Sequence, residues 1–170
     1  KVIAGIASST ALIFALMLFK KYDYALGGFQ FTETLPWLPQ LGISYHIGLD
    51  GIGLAMVLLT GIVIFTGVII SSSEFRAGGL LRTVGRPKEF FALLLLLVTG
   101  VFGVFVALDL FFLFLFYEIA VLPMYLLIGI WGTGKKEYCA MKLTIYLLAG
   151  SALILVGILA MFFASGLSTF

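Results

Sequence analysis

The chain has 170 residues, of which 62% are hydrophobic and only 11% are charged, and its mean hydropathy is +1.22. Soluble domains carry about 25% charged and about 45–50% apolar residues, so this composition excludes a soluble globular domain and predicts a protein with lipid as its solvent. The net charge of +2 is too small to indicate a nucleic-acid partner, and the single cysteine, Cys139, excludes a disulfide within the chain.

Five apolar segments are long enough to cross a bilayer as helices. A hydrocarbon core about 30 Å thick needs about 20 helical residues at about 1.5 Å each. The segment 90–131 would form a helix about 63 Å long, so we divide it at Asp109. The sequence therefore predicts an all-α, polytopic transmembrane helical bundle with spans at 2–19, 52–70, 90–108, 110–131 and 140–163.

The first span has one alternative, a cleaved secretory signal peptide. Such a peptide has a positive n-region, an apolar stretch of about 7–15 residues and a small-residue cleavage site. Lys1 is the only positive residue before the apolar run, and the run at 2–19 is longer than the apolar stretch of a signal peptide. We therefore favour a membrane span.

Positive residues are concentrated on one side of the predicted bundle. The loops at 71–89 and 132–138 lie on that side, whereas the other side has only Lys20 and Lys21. Positive residues favour the cytoplasm, so the first side is predicted to be cytoplasmic. Its basic residues are Lys1, Arg76, Arg82, Arg86, Lys88, Lys135 and Lys136.

The long outer loop at 20–50 contains two residues with predicted structural roles. Asp50 directly precedes the second span, where an aspartate can cap a helix. His46 is the only histidine and has no nearby cysteine, so a metal site is not expected. We predict instead that His46 takes part in a hydrogen bond of the outer loop.

Glu118 is the strongest candidate for chemistry. It lies nine positions after Asp109, which places it about 13 Å into its helix and close to the middle of the bilayer. A carboxyl at this depth costs several kcal/mol unless it is neutral, paired or hydrated, and it marks a functional site by default. The pattern predicts a proton relay. The alternative is an assembly role, with Glu118 hydrogen-bonded to a neighbouring helix.

Pro123 lies five residues after Glu118 in the same predicted helix. Proline has no N–H, so the carbonyl of Ile119 loses its helical donor. We predict a helix break beside the carboxyl, where water or a side chain finds a group to bond.

Lys142 and Asp109 complete the predicted proton path. Lys142 lies about one turn inside the fifth helix. Either its charge biases a proton path, or its long side chain extends to the membrane interface. Asp109 is either a charged residue at the outer mouth of the path or a helix cap. With depths of about 6 Å for Lys142 and 20 Å for Glu118, measured from the cytoplasmic helix ends, a direct ion pair is not expected.

Residues 129–136 match the Gly-x-x-x-x-Gly-Lys pattern of a phosphate-binding loop. Lys136 occupies the position of the Ser or Thr that would hold Mg²⁺, and a membrane helix rather than a strand precedes the motif. We therefore do not expect phosphate binding here.

Three stretches of the sequence are similar to one family of membrane proteins. The most specific is Asp-Leu-Phe-Phe-Leu-Phe-Leu-Phe-Tyr-Glu-Ile-Ala-Val-Leu-Pro-Met-Tyr, which opens the run 109–131. The others are the outer-loop run 36–51, which opens with Pro-Trp-Leu-Pro, and Ala-Met-Lys-Leu-Thr-Ile-Tyr at 140–146. Together they resemble the NuoM/NdhD-type antiporter-like proton-pumping membrane subunit of respiratory complex I, with similarity from about 35 to 160.

The resemblance implies a role for Glu118 and a larger architecture. It implies that Glu118 is the family's essential mid-membrane glutamate, which pairs with a lysine on a later helix as protons move along a hydrated axis of charged residues. Such subunits are built from inverted repeats with broken helices, so the single transmembrane domain at 1–170 is expected to be part of a larger fold. Because the sequence begins with Lys1 rather than Met and ends in an apolar stretch at Phe170, we expect a piece of a longer polypeptide.

The implied function is proton translocation within an NADH:quinone oxidoreductase, coupled to quinone reduction. One cysteine and one histidine cannot ligate an iron–sulfur cluster or a bis-histidine haem, so this chain is expected to hold no cofactor. Quinone, FMN and iron–sulfur clusters are expected in partner subunits. The implied partners are antiporter-like and small membrane subunits of complex I together with membrane lipid, in a bacterial inner membrane or, alternatively, a thylakoid or other energy-coupling membrane.

Three alternatives remain beside this interpretation. A Mrp-type cation/proton antiporter and the membrane subunit of an energy-converting hydrogenase share the implied fold. The third is a non-transporting membrane scaffold, in which replacing Glu118 by glutamine would leave pumping intact.

Overall fold

The computed structural model describes residues 2–38, 43–77 and 85–165, and within these residues it contains five long helices and one two-stranded sheet. All five helices are long and apolar enough to cross a membrane. The predicted fold class, a helical bundle with five membrane-spanning helices, is confirmed. The elements in chain order are α1 (Val2–Lys21), β1 (Gln30–Leu38), β2 (Ile43–Leu49), α2 (Gly51–Ala77), α3 (Pro87–Val106), α4 (Leu110–Trp131) and α5 (Lys136–Ser165).

The basic loops are shorter than the sequence indicated. Helix α2 continues to Ala77, and α3 begins at Pro87, so only the middle of the predicted loop 71–89 is left between them. Hydropathy marks the part of a helix that lies in hydrocarbon, but the backbone hydrogen bonds continue into the polar region. Proline is favoured at the first helical position because its missing N–H needs no partner there. Lys1 and Arg82, both assigned to the cytoplasmic side, lie outside the described residues.

The predicted outer loop contains a β-hairpin, which the sequence analysis missed. Strands β1 and β2 pair antiparallel, with Thr34 opposite His46 and Leu35 opposite Tyr45. Residue types that are enriched in strands occur in each segment, threonine and tryptophan in β1 and isoleucine and tyrosine in β2. The outer loop predicted at 20–50 therefore contains two strands that were not predicted from the sequence.

The hairpin rests on the turn between α3 and α4. The Leu108 N–H donates to the His46 carbonyl at 2.9 Å, and Ile47 forms an isolated antiparallel bridge with Ala107. The rings of Trp37 and Tyr45 lie 5.2 Å and 5.3 Å from the ring of Phe112 in α4. We call this side of the bundle, where α1 ends and α2 begins, the hairpin end.

The opposite side of the bundle carries the α4–α5 connection and the start of α3, and we call it the basic end. The Trp131 indole N–H donates to the Gly85 carbonyl at 3.1 Å, and the Trp131 and Phe90 rings are 5.4 Å apart. Lys136 Nζ donates to the Ile130 carbonyl at 2.8 Å, which satisfies a carbonyl at the end of α4. Arg86 also lies at this end, next to the start of α3.

Two glycines bring α3 and α4 close together. A Cβ added to Gly100 would lie 2.8 Å from the Ala120 backbone nitrogen and 2.9 Å from the Phe116 carbonyl oxygen. A Cβ added to Gly103 would overlap the Phe116 ring. Small residues permit such close backbone approach between membrane helices. This contact fixes α4 at the two residues that flank Glu118 at i−2 and i+2.

Candidate functional site

Glu118 is placed deep in the bundle by helix α4. It lies about 12 Å from the first residue of α4 at the hairpin end and about 20 Å from the last residue at the basic end. The side chain is partly buried, and its Oε1 atom is buried with no hydrogen-bond partner among the described residues. An unpartnered buried carboxyl oxygen carries a desolvation cost, so a partner or water from outside these contacts would stabilise it.

Glu118 opens onto a groove of about 590 Å³ between α3, α4 and α5, which we call the Glu118 groove. Its walls are almost entirely aliphatic. Three lining side chains carry polar atoms: Glu118 itself, Tyr125 and Thr144. The remaining lining residues are Leu96, Leu115, Ile119, Val121, Leu122, Pro123 and Leu148.

Pro123 is fully buried and lines the groove, but α4 continues through it from Leu110 to Trp131. The break predicted at Pro123 does not interrupt the helix. What proline removes is one N–H donor for the carbonyl of Ile119, and membrane helices tolerate this loss when neighbouring groups compensate. The feature beside Glu118 is a missing hydrogen bond within a continuous helix.

Asp109 caps the start of α4 and also binds the hairpin. Its Oδ1 accepts hydrogen bonds from the backbone N–H groups of Phe111 at 2.8 Å and Phe112 at 3.2 Å, and its Oδ2 accepts from Ser44 at 3.3 Å. The residue is only 3% exposed. This geometry supports the helix-cap alternative, while the proposed part of Asp109 in proton transfer stays a prediction.

Lys142 is exposed on α5 and is not brought to Glu118. Its Nζ lies 6.0 Å from the ring centroids of both Tyr138 and Tyr146, one turn away on either side. Thr144, which faces the Glu118 groove, is two residues along and therefore about 200° around the helix from Lys142. Lys142 occupies the opposite face of α5, and its role as a tuner of Glu118 stays a prediction.

Asp50 and His46 both stabilise the hairpin end. Asp50 Oδ1 accepts from the Gly53 N–H at 2.6 Å, the capping contact expected from its position before α2. His46 contributes through its backbone carbonyl, which accepts from Leu108, and no bond of its imidazole is found among the described residues. Within that same part of the chain, no group of three or more His, Cys, Asp or Glu side chains is placed to hold a metal ion.

Tyr125 and Thr144 line the Glu118 groove but were not predicted from the sequence. Tyr125 follows Glu118 by seven positions, which is nearly two full turns, so helical periodicity was a usable signal that it shares the Glu118 face. Thr144 carried no such signal, because its position depends on how α5 docks against α4. The prediction selected charged residues instead, and one of them, Lys142, lies on the face of α5 opposite to the groove.

Comparison with protein-family models gives one match, to the family described as NADH:quinone oxidoreductase/Mrp antiporter, transmembrane, over residues 107–170. The chain is also similar to NAD(P)H-quinone oxidoreductase chain 4-2 of Synechocystis sp. strain PCC 6803, with 36% identity over 166 residues. It is 42% identical over 151 residues to chain 4 3 of the same kind of enzyme from Picosynechococcus sp. strain PCC 7002. These alignments cover 98% and 87% of the chain.

A solved structure has the same fold. A chain of the structure titled respiratory complex I from Thermus thermophilus with bound NADH matches with a TM-score of 0.82 and 25% identity, and the match covers 98% of the present chain and 32% of that chain. The present chain spans 28% of the Synechocystis relative and 26% of the Picosynechococcus relative. The similarity therefore includes nearly all of this chain and about a quarter to a third of the proteins it matches.

Proposed function

We propose that the chain, which is similar to the NuoM/NdhD-type antiporter-like membrane proteins, serves in proton translocation coupled to quinone reduction. Glu118 is the residue that exchanges the proton. The observation that carries this proposal is the buried Oε1 atom of Glu118, which has no hydrogen-bond partner among the described residues and faces an apolar groove.

The groove explains how Glu118 would work as a switch. In an apolar environment an isolated carboxylate lacks the stabilisation that water or a cation gives it. In this proposal, a cation that approaches the groove favours loss of the proton from Glu118, and a cation that withdraws favours its return. The family resemblance supplies such a cation as a lysine on a later helix.

The remaining parts of the machinery belong to partner subunits in this proposal. Quinone, FMN and iron–sulfur clusters are held there, and this chain contributes the proton path within a complex I-like assembly of antiporter-like and small membrane subunits. The relatives named above are cyanobacterial NAD(P)H-quinone oxidoreductase chains, which supports an energy-coupling membrane as the location. We place the chain in a bacterial inner membrane, and membrane fractionation would distinguish this from a thylakoid location.

A Mrp-type cation/proton antiporter is the second candidate, because the matching family description includes both kinds of protein. The two candidates differ in their partners and in their energy source. A quinone oxidoreductase subunit purifies with dehydrogenase subunits and pumps when an electron donor and quinone are supplied. A Mrp-type subunit purifies with other antiporter subunits and exchanges cations for protons without electron transfer.

The experiment for the proposed function compares Glu118→Gln with Glu137→Gln in the intact membrane complex. Both variants make the same chemical change, but Glu137 is exposed in the first turn of α5 and lies outside the Glu118 groove. Proton pumping is measured as acidification of membrane vesicles driven by an electron donor, and assembly is checked on native gels.

We expect Glu118→Gln to assemble and to lose pumping together with coupled quinone reduction, while Glu137→Gln retains both. Glutamine preserves the size and polarity of Glu118 but cannot exchange a proton at physiological pH. Normal pumping by Glu118→Gln would make Glu118 a structural residue and would leave the scaffold alternative in place.

A further inference from the structure

The face of helix α5 that is opposite to the Glu118 groove carries a basic and aromatic stripe. Its four residues follow one another at intervals of three, four and four positions and therefore share one side of the helix. They are Lys135, Tyr138, Lys142 and Tyr146, and all four are exposed. The Cys139 N–H donates to the Lys135 carbonyl at 3.0 Å, so the helical hydrogen bonds begin at Lys135. We call these four residues the α5 stripe.

Neither lysine of the α5 stripe has an anionic partner in the described part of the chain, where the one ion pair joins Arg86 to Glu89. Lys142 Nζ lies 6.0 Å from the ring centroids of both Tyr138 and Tyr146. A ring face attracts an ammonium group but does not neutralise its charge as a carboxylate would. The Lys142 ammonium is therefore positioned between two rings, and its charge is available to an anion.

The α5 stripe lies at the boundary between lipid headgroups and hydrocarbon. The 30 residues of α5 span about 45 Å, about 15 Å more than a hydrocarbon core of about 30 Å, so the end turns of the helix extend into the headgroup region. Lys135 lies at the start of the helix and Lys142 about 9 Å along it. Both have flexible four-carbon stems that can reach toward the headgroups from this depth, where tyrosine is also enriched.

Beyond Tyr146 the same face of α5 is aliphatic. Ala149, Leu153 and Val156 continue the helical spacing of the stripe. All three are exposed, Leu153 to 74% and Val156 to 62%. From the basic end inward, this face therefore presents cations, aromatic rings and then aliphatic side chains. A phospholipid with an anionic headgroup has the complementary order, a phosphate followed by hydrocarbon.

Two adjoining hollows, which share Tyr138, provide space along the stripe. One of about 590 Å³ is lined by residues 134–138, and one of about 410 Å³ extends from Tyr138 to Tyr146. Lys136 and Glu137 also line the first hollow, where their opposite charges offset each other. The lysines of the α5 stripe therefore determine the charge that the two hollows present.

We propose that the α5 stripe binds one anionic phospholipid, with its phosphate held by Lys135 and Lys142 and an acyl chain lying along Leu153 and Val156. A soluble phosphate would leave the aliphatic part of this face uncovered, and a soluble acidic protein would not reach it. The site lies on the opposite side of α5 from the Glu118 groove, so it does not depend on proton exchange by Glu118.

The experiment uses the intact membrane complex, reconstituted in phosphatidylcholine vesicles that contain a trace of a photoreactive lipid. Two probes carry the same photoreactive acyl chain, one on a phosphatidylglycerol headgroup and one on a phosphatidylcholine headgroup. Labelling of residues 134–157 is measured by mass analysis of peptic fragments, because pepsin does not cut at lysine. Assembly of every variant is checked on native gels.

The test variants are Lys142→Gln, Lys142→Arg and the double variant Lys135→Gln, Lys142→Gln. The matched control is the double variant Lys20→Gln, Lys21→Gln. It removes the same amount of charge from two exposed lysines at a helix end, but at the hairpin end of the bundle.

We expect phosphatidylglycerol to label the wild-type segment at least about fivefold more than phosphatidylcholine does. Lys142→Gln should lower phosphatidylglycerol labelling about fivefold, the attraction of one basic residue at a membrane surface, and the Lys135, Lys142 double variant should lower it further. Lys142→Arg and the control variant should label as wild type does, and excess inorganic phosphate should not compete.

Four outcomes would overturn the proposal. Equal labelling by the two lipids would show a general lipid contact, and no labelling by either would mean that protein covers this face. Competition by inorganic phosphate would identify a soluble anion as the ligand. An equal loss in the control variant would show an effect of net charge alone. The proposed function is tested separately, because lipid labelling does not depend on the result for Glu118→Gln.

Discussion

Glu118 and Asp109 are nine residues apart, yet their surroundings give the two carboxylates opposite properties. Asp109 accepts three backbone hydrogen bonds, whereas Glu118 Oε1 has none from the described residues. Asp109 is therefore held in place by groups of the chain itself, while Glu118 Oε1 is left for a partner from outside these contacts. At the scale of single residues, Asp109 suits anchoring and Glu118 suits proton exchange.

Asp109→Ala tests the anchoring role. The substitution leaves the N–H groups of Phe111, Phe112 and Ser44 without their acceptor, and loss of an N-cap costs about 0.5–2 kcal/mol. We expect a lower thermal stability of the complex in detergent, measured by thermal denaturation.

Asp109→Asn is the discriminating partner of that variant. Asparagine keeps an oxygen to accept from Phe111 and Phe112, but its amide nitrogen cannot accept from Ser44, and the amide cannot exchange a proton as a carboxyl can. Wild-type pumping in Asp109→Asn, with a stability between those of wild type and Asp109→Ala, would make Asp109 an anchor and remove it from the proton path. An assembled but inactive Asp109→Asn complex would instead support the proton-transfer role predicted from the sequence.

At the scale of helices, the contact between α3 and α4 determines where Glu118 lies. Gly100 approaches the backbone atoms of Ala120 and Phe116, which cannot move aside as a flexible side-chain tip can. The position of α4 relative to α3 therefore depends on the absence of a side chain at Gly100. Any separation of these helices widens the Glu118 groove, because Leu96 of α3 forms part of its wall.

Gly100→Ala should therefore destabilise the protein, although alanine is the better helix former by about 1 kcal/mol. Overpacking a tight contact costs typically about 1–3 kcal/mol, which exceeds that gain. Gly67→Ala is the matched control, because a Cβ on this α2 glycine meets nothing within 4 Å. Thermal denaturation in detergent should show a lower midpoint for Gly100→Ala only. A midpoint unchanged or raised in Gly100→Ala would mean that the helices are not held together at this point.

The helices could be predicted from sequence because lipid imposes length and hydropathy on each segment separately. The hairpin carried only the weak signal of strand-favouring residue types, and its packing on the α3–α4 turn depends on contacts between segments far apart in the sequence. The candidate site shows the same division. The depth of Glu118 follows from counting residues along one helix, but the presence of Thr144 beside its groove depends on how two helices dock.

At the scale of the whole molecule, the two ends of the bundle differ in chemistry. The hairpin end is built of backbone pairing and aromatic contacts around Phe112. The basic end exposes Lys135 and Arg86 beside the buried indole of Trp131. Positive residues favour the cytoplasmic side, so we expect the basic end to face the cytoplasm.

Cys139 makes this orientation measurable without adding a reporter, since it is the only cysteine of the chain and is exposed near the basic end. We expect a membrane-impermeant maleimide to label Cys139 in inside-out vesicles and not in right-side-out vesicles, with the label located by peptide mass analysis. Ala25→Cys in a Cys139→Ser background provides the reciprocal probe, because Ala25 is exposed at the hairpin end. Labelling of Cys139 from the outside would reverse the topology. The basic end would then face the outer aqueous phase, against the distribution of its positive residues.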